Sequence, residues 1–157
     1  TMAELKTIYH VEGKLCKDFI GQISYTVCLD QKYDELDIEF SFAPQHFRSE
    51  DVTPELKQYL LDYCKKEYGI EDCTPEEWED AVYHGMKTEI HTMATLNDTF
   101  IGNIHRQLTT RHMHFTATEA TEGCIPQPDI EGVLKVTILV FSVLLNNTEY
   151  QLTVRAR

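Results

Sequence analysis

Apolar and polar residues alternate along the first part of the chain, residues 4–43. The clearest stretch is residues 36–42, in which Leu, Ile and Phe alternate with Asp, Glu and Ser. A period of two puts the apolar side chains on one face of a strand, which is typical of an antiparallel sheet with one face in water. We therefore predict about three strands in this part, with a hairpin loop over residues 30–35.

The period changes to that of a helix over residues 53–84. Thr53-Pro54-Glu55 supplies an N-cap, a proline at the first helical position and an acidic first turn. Gly69 is a suitable stop, and Thr74-Pro75-Glu76-Glu77 begins a second helix with a capping box. Apolar residues follow the first start at helical spacing: Leu56, Tyr59, Leu60, Tyr63 and Cys64. This segment predicts a helix pair.

Residues 86–157 return to the alternating pattern and predict four to six further strands. Two closely spaced prolines mark residues 123–129 as a loop. The order of elements predicts an α+β fold that is mostly antiparallel β, with a helix pair inserted mid-chain. The strands would form a β-sandwich or a strongly bent sheet. At 157 residues the chain has the length of a single domain, residues 1–157.

The cysteines and the first residues indicate the cellular compartment in which the protein is expected. The five cysteines are odd in number and none forms a C-x-x-C pair, unlike most disulfide frameworks and zinc sites. The first residues run directly into an alternating pattern without the apolar core of a signal peptide. We therefore expect reduced, mostly buried thiols in a cytoplasmic protein that has no membrane span.

The net charge of −12 restricts the partners. Binding to nucleic acid or to anionic lipid draws on Lys and Arg, so this balance argues against both. The charge is uneven, however, because residues 50–80 hold eleven acidic residues and three lysines, whereas residues 99–118 hold no acidic residue. The segment 99–118 is called the acid-free segment below.

The acid-free segment contains the residues that we predict to bind a ligand or a partner: His105, Arg106, Arg111, His112 and His114. Cationic and hydrogen-bonding side chains suit a carboxylate or phosphate ligand, or the acidic surface of another protein. The alternative is that they face the chain's own acidic helices.

His112 and His114 form the most specific local motif. Residues two apart in a strand point the same way, so the two imidazoles could share a divalent transition metal, with Glu119 completing an open site. The spacing H-x-H-x4-E resembles the first metal-binding motif of the cupins, which are small β-barrel proteins, over about eight residues. The cupin pattern also needs a later histidine and flanking glycines, but no histidine follows His114, and Arg106 and Pro126 stand at the glycine positions.

No other catalytic motif is present: there is no G-x-G fingerprint and no G-x-S-x-G elbow. Our main hypothesis is therefore a non-catalytic module that binds a small anionic or polar ligand or an acidic protein surface. The first alternative is a metal-dependent enzyme that uses the His-x-His motif and a carboxylate. The second is a carrier of a small apolar ligand between the sheet and the helix pair, and self-association stays open.

Overall fold

Two antiparallel four-stranded sheets pack face to face in a computed structural model that describes residues 4–69, 73–105 and 108–157. The first, sheet A, has the strand order β1-β8-β3-β6, and the second, sheet B, has the order β2-β7-β4-β5. The strands are β1 (Lys6–Leu15), β2 (Gly21–Tyr33), β3 (Glu35–Ala43), β4 (Glu89–Leu96), β5 (Thr99–Ile104), β6 (Thr110–Thr116), β7 (Ile130–Ser142) and β8 (Thr148–Ala156). The predicted fold class is confirmed.

The main core lies between the two sheets and follows the alternation of the sequence. On β3 the side chains of Leu36, Ile38, Phe40 and Phe42 are all buried. They pack in one cluster with apolar side chains of the central strands of sheet B, among them Ile138. Burial of apolar surface, at about 25 cal/mol per Å², therefore sets which face of each strand points inward.

The connection between β2 and β3 differs from the predicted hairpin. β2 continues through residues 30–33 and β3 begins at Glu35, so one residue separates the strands. β2 pairs with β7 in sheet B, whereas β3 pairs with β6 and β8 in sheet A. The prediction of a hairpin loop was wrong because the polarity of residues 30–32 comes from the exposed end of an edge strand.

The predicted helix pair is confirmed as α1 (Pro54–Tyr68) and α2 (Pro75–Asp80), the latter running into a π-helical turn over Ala81–Gly85. The Thr53 side chain accepts a hydrogen bond from the Leu56 amide, and Gly69 closes α1 with φ of 65°. The Thr74 side chain accepts from the Glu77 amide in the same way. The helices have a small core of their own, formed by Phe47, Leu60, Trp78, Val82 and Leu144.

The cysteines are less buried than expected. All five are free, Cys16 and Cys28 are exposed, and the other three are half-buried. The alternation did not reveal this, because Cys28 lies on the outward face of an edge strand. In the described part of the chain, no helix is long and apolar enough to cross a membrane.

Candidate functional site

A row of three carboxylates runs along the outer face of β3. Glu35, Asp37 and Glu39 are two residues apart, so they share the face opposite the core. β3 is an interior strand of sheet A, between β8 and β6. Side chains from both neighbouring strands therefore reach the row, and Asp37 is buried although it lies on the outer face.

The histidines of β6 lie on one side of the carboxylate row. His112 bridges two members, with Nδ1 2.9 Å from Asp37 Oδ2 and Nε2 3.1 Å from Glu39 Oε2. His114 Nε2 lies 2.6 Å from Glu35 Oε1. The two imidazoles thus share one face, and each contacts a carboxylate of β3.

Two arginines of the C-terminal segment lie on the other side of the row. Arg155 Nη1 is 3.3 Å from Glu39 Oε1 and 3.9 Å from Asp37 Oδ2, and Arg157 Nε contacts Glu35. The alternative interpretation of the acid-free segment expected its cations to face the acidic helices. The carboxylates beside His112 and His114 come from β3 instead.

Arg111 has a different environment from its neighbours because it points to the inner face of β6. Only 4% of its surface is exposed. Its Nη1 donates to the Ile90 carbonyl of β4 at 2.5 Å, and its Nη2 donates to the Leu108 carbonyl at 2.6 Å. The guanidinium carbon lies 5.7 Å from the ring centroids of both Phe40 and Phe42. Arg111 therefore links sheet A to sheet B.

The charge of Arg111 has no carboxylate partner within residues 4–69, 73–105 and 108–157. Carbonyl oxygens accept its hydrogen bonds, and its Nε is buried without an acceptor. Burial lowers the pKa of Arg111 to about 10, so the group stays protonated at neutral pH. A buried cation without an anion is uncommon, since burying a charge costs several kcal/mol unless it is paired.

Arg111 lines a cavity of about 220 Å³ at the side of the sandwich. The cavity lies where β5 ends, β6 begins and the loop after β6 folds back, with the Asn103 amide donating to the Gly123 carbonyl. Its lining comprises Asn103, Ile104, His105, Leu108, Arg111, His112, Thr121, Glu122 and Gly123. We call it the Arg111 cavity. Its volume suits a ligand of a few heavy atoms, below the 300–1,000 Å³ typical of drug-sized ligands.

The structure brings together some of the predicted site residues and separates others. His105, Arg111 and His112 line the Arg111 cavity, whereas His114 lies at the carboxylate row. The imidazole of His105 lies 5.8 Å from that of His91. Arg106 lies outside the described residues.

The metal-binding set predicted from the H-x-H motif is not assembled in the described ranges. There, no three His, Cys, Asp or Glu side chains are arranged to hold a metal ion. The backbone amide of Glu119 donates to the Thr116 hydroxyl in an exposed turn. The geometry thus gives no support to the metal centre that the cupin resemblance implies.

A second, larger cavity of about 490 Å³ lies between the helices and the end of the sandwich. We call it the helix cavity. Most of its lining is apolar or small, with charged residues at Lys87 and Glu89. The lining comprises Leu60, Tyr63, Cys64, Ala81, Val82, Gly85, Met86, Lys87, Glu89, Ser142 and Leu144.

The carboxylate row generates a prediction about acid stability. Hydrogen bonding from His114, followed by contact with Arg157, holds the pKa of Glu35 below its ordinary value. A lowered pKa in the folded state stabilises the fold at pH values above the unfolded value of about 4.3. That stabilisation is lost as the pH falls through the lowered folded value.

We therefore expect Glu35→Gln to lower the free energy of unfolding at pH 7 by about 1–3 kcal/mol. The same variant should reduce the loss of stability between about pH 5 and pH 3, measured by urea unfolding across pH. Glu12→Gln is the matched control, because Glu12 lies in an exposed pair with His10 and should change stability by less than about 0.5 kcal/mol. Equal effects of the two variants would contradict the assignment.

Comparison with known proteins places the whole sandwich in one family. Residues 5–157 match the model of a family described as a family of unknown function (DUF6669). Neither a curated protein nor a solved structure gives a significant match. Because the match covers nearly all of the 157 residues, the chain belongs to the DUF6669 family.

Proposed function

We propose that this chain is a non-catalytic binding module that holds a small anionic ligand, such as a carboxylate or a phosphate, in the Arg111 cavity. The observation that carries the proposal is the buried guanidinium, which has no carboxylate partner in the described ranges. An anion in the cavity would supply the missing countercharge. At an effective dielectric constant of about 20, two unit charges about 4 Å apart attract by about 4 kcal/mol, before the cost of desolvating the ligand.

The rest of the lining fits a polar ligand of this kind. Asn103 and His105 add side-chain groups that can donate hydrogen bonds, and both residues are exposed at the side of the sandwich. Glu122 also lines the cavity and opposes an anion, so its charge would set a limit on affinity. Arg106, which follows His105 in the sequence, keeps its predicted role as a ligand-binding residue in this proposal.

The five free cysteines, two of them exposed, support a place for the module in a reducing compartment such as the cytoplasm. The basic side chains beside the carboxylate row do not compete for the ligand. They already contact Glu35, Asp37 and Glu39, so they are less available to an incoming anion than Arg111.

The test is the effect of inorganic phosphate and of succinate on thermal unfolding, with chloride at matched ionic strength as the reference. For the wild type we expect a rise in Tm of about 3–6 °C when the ligand reaches about ten times its Kd, which corresponds to about 1.4 kcal/mol. Arg111→Met should abolish the rise, because Met fills similar volume without the charge.

If Arg111→Met does not fold, two variants of other residues that line the Arg111 cavity still test the proposal. His105→Ala should weaken the anion effect and Glu122→Gln should strengthen it, each measured relative to the Tm of the same variant without ligand. Arg106→Ala tests the remaining predicted residue. A wild type whose Tm responds equally to phosphate, succinate and chloride would contradict the proposal.

The helix cavity supports a second candidate function, the carriage of a small apolar ligand. Its volume of about 490 Å³ lies within the range of ordinary ligand sites. Leu60, Val82, Met86 and Leu144 supply apolar walls. The helix cavity and the Arg111 cavity share no lining residue, so the two functions can be tested separately.

For this candidate we expect native mass spectrometry of the purified protein to detect a co-purifying apolar molecule. Leu144→Gln should release it, because an amide in the wall has no partner there and favours water. The matched control is Val133→Gln, because Val133 is exposed and lines neither cavity. Spectra that contain only the bare mass in every preparation would reject the carrier function.

A further inference from the structure

One long edge of the sandwich has no partner strand. β2 lies at the edge of sheet B and pairs only with β7 among the described strands. Its 13 residues present backbone N–H and C=O groups to solvent on the free side. Such an edge is a template for another strand, and most proteins protect it with charges, prolines or bulges.

The other three edges are protected. Cys124 forms a bridge with Gly102 at the edge of β5. The loop after β6 covers that strand, since the Thr121 amide donates to the His114 carbonyl. β1 carries Lys6, Lys14, His10 and Glu12 along its length, and two copies of such a strand would place like charges close together.

β2 lacks this protection over most of its length. Residues 19–29 contain no charged residue and no proline, in a chain whose net charge is −12. Phe19 and Ile20, just before the strand, are 36% and 73% exposed. Because this edge is uncharged in so acidic a chain, two copies can approach along it without repulsion between identical charges of the strand itself.

The residue order of β2 also suits pairing with itself. Ile23-Ser24-Tyr25-Thr26-Val27 reads with the same chemistry in both directions: β-branched aliphatic, hydroxyl, tyrosine, hydroxyl, β-branched aliphatic. In an antiparallel pair centred on Tyr25, Ser24 stands opposite Thr26 of the second copy, and Ile23 stands opposite Val27. Aliphatic and hydroxyl pairs of this kind stabilise neighbouring strands.

The two faces of β2 are compatible with that register. Ser24 and Thr26 are exposed on the outer face of sheet B, whereas Ile23 and Val27 point inward and Val27 is buried. The ring of Tyr25 is half-buried beside Tyr9, with its hydroxyl 2.5 Å from that of Tyr150. The strand is thus held in place from within, and only its backbone edge remains open.

We propose that a second copy of this chain pairs with β2 across a two-fold axis at Tyr25, joining the two B sheets into one eight-stranded sheet. A closed two-fold interface uses the same patch on both subunits, as the residue order of β2 allows. The nine residues 21–29 would face residues 29–21 of the partner copy. This interface lies on strands remote in the sheet order from β6 and Arg111, so its failure would leave the anion site untouched.

The experiment is sedimentation equilibrium over a range from about 1 µM to about 1 mM, which spans weak to moderate association. A reducing agent is present, so that a disulfide between exposed Cys28 thiols cannot imitate the dimer. We expect the wild type to dimerise reversibly. In S24K/T26K each lysine at position 24 faces a lysine at position 26, which should weaken the dimer by about tenfold or more.

The matched variant is S24K/T26E, which carries a lysine opposite a glutamate in the same register. It should retain or strengthen the dimer, although it alters the same two exposed positions. Equal thermal unfolding of both double variants would show that the difference arises at the interface. A monomeric wild type throughout the range, or equal association of the two variants, would overturn the proposal.

Discussion

The buried guanidinium of Arg111 is the interaction on which the arrangement of the sandwich most depends. Arg111 belongs to β6 of sheet A. Its guanidinium lies against Phe40 and Phe42 of β3 and donates to the Ile90 carbonyl of β4 in sheet B. Its second donor nitrogen reaches Leu108, between β5 and β6. One side chain thus bridges the two sheets and also contacts the backbone at Leu108. The cost is a buried charge whose surroundings are carbonyl dipoles and aromatic faces.

The outer faces of the two sheets divide the remaining polar chemistry between them. On sheet A, the carboxylates of β3 contact histidines on one side and arginines on the other, so each carboxylate has a local partner. The free edge of sheet B is uncharged over residues 19–29. Within the described residues, this acidic chain therefore combines an outer face of paired side chains, a buried guanidinium without a carboxylate partner and an uncharged strand edge.

The alternation of β3 and the caps of the helices were enough to predict the fold class, because burial and local capping act on neighbouring residues. The same alternation also displayed Glu35, Asp37 and Glu39 on one face. Their pairing with His112 and His114 was missed because strand order is a long-range property, and β3 meets β6 only through the sheet. The acid-free segment drew attention to Arg111, but charge pattern alone could not show that its side chain points inward while those of His112 and His114 point outward.

The account rests on two properties of the Arg111 side chain. It is charged and buried inside the sandwich, and it lines a cavity that a ligand can enter. Nitrogen-15 NMR of the arginine side chains at pH 7 tests this directly, with Arg48 as the comparison because 61% of its side chain is exposed. We expect an Nε–H signal for Arg111 that exchanges with water far more slowly than that of Arg48 and that shifts selectively when phosphate is added. Exchange as fast as that of Arg48, or a signal that phosphate leaves unchanged, would contradict the account.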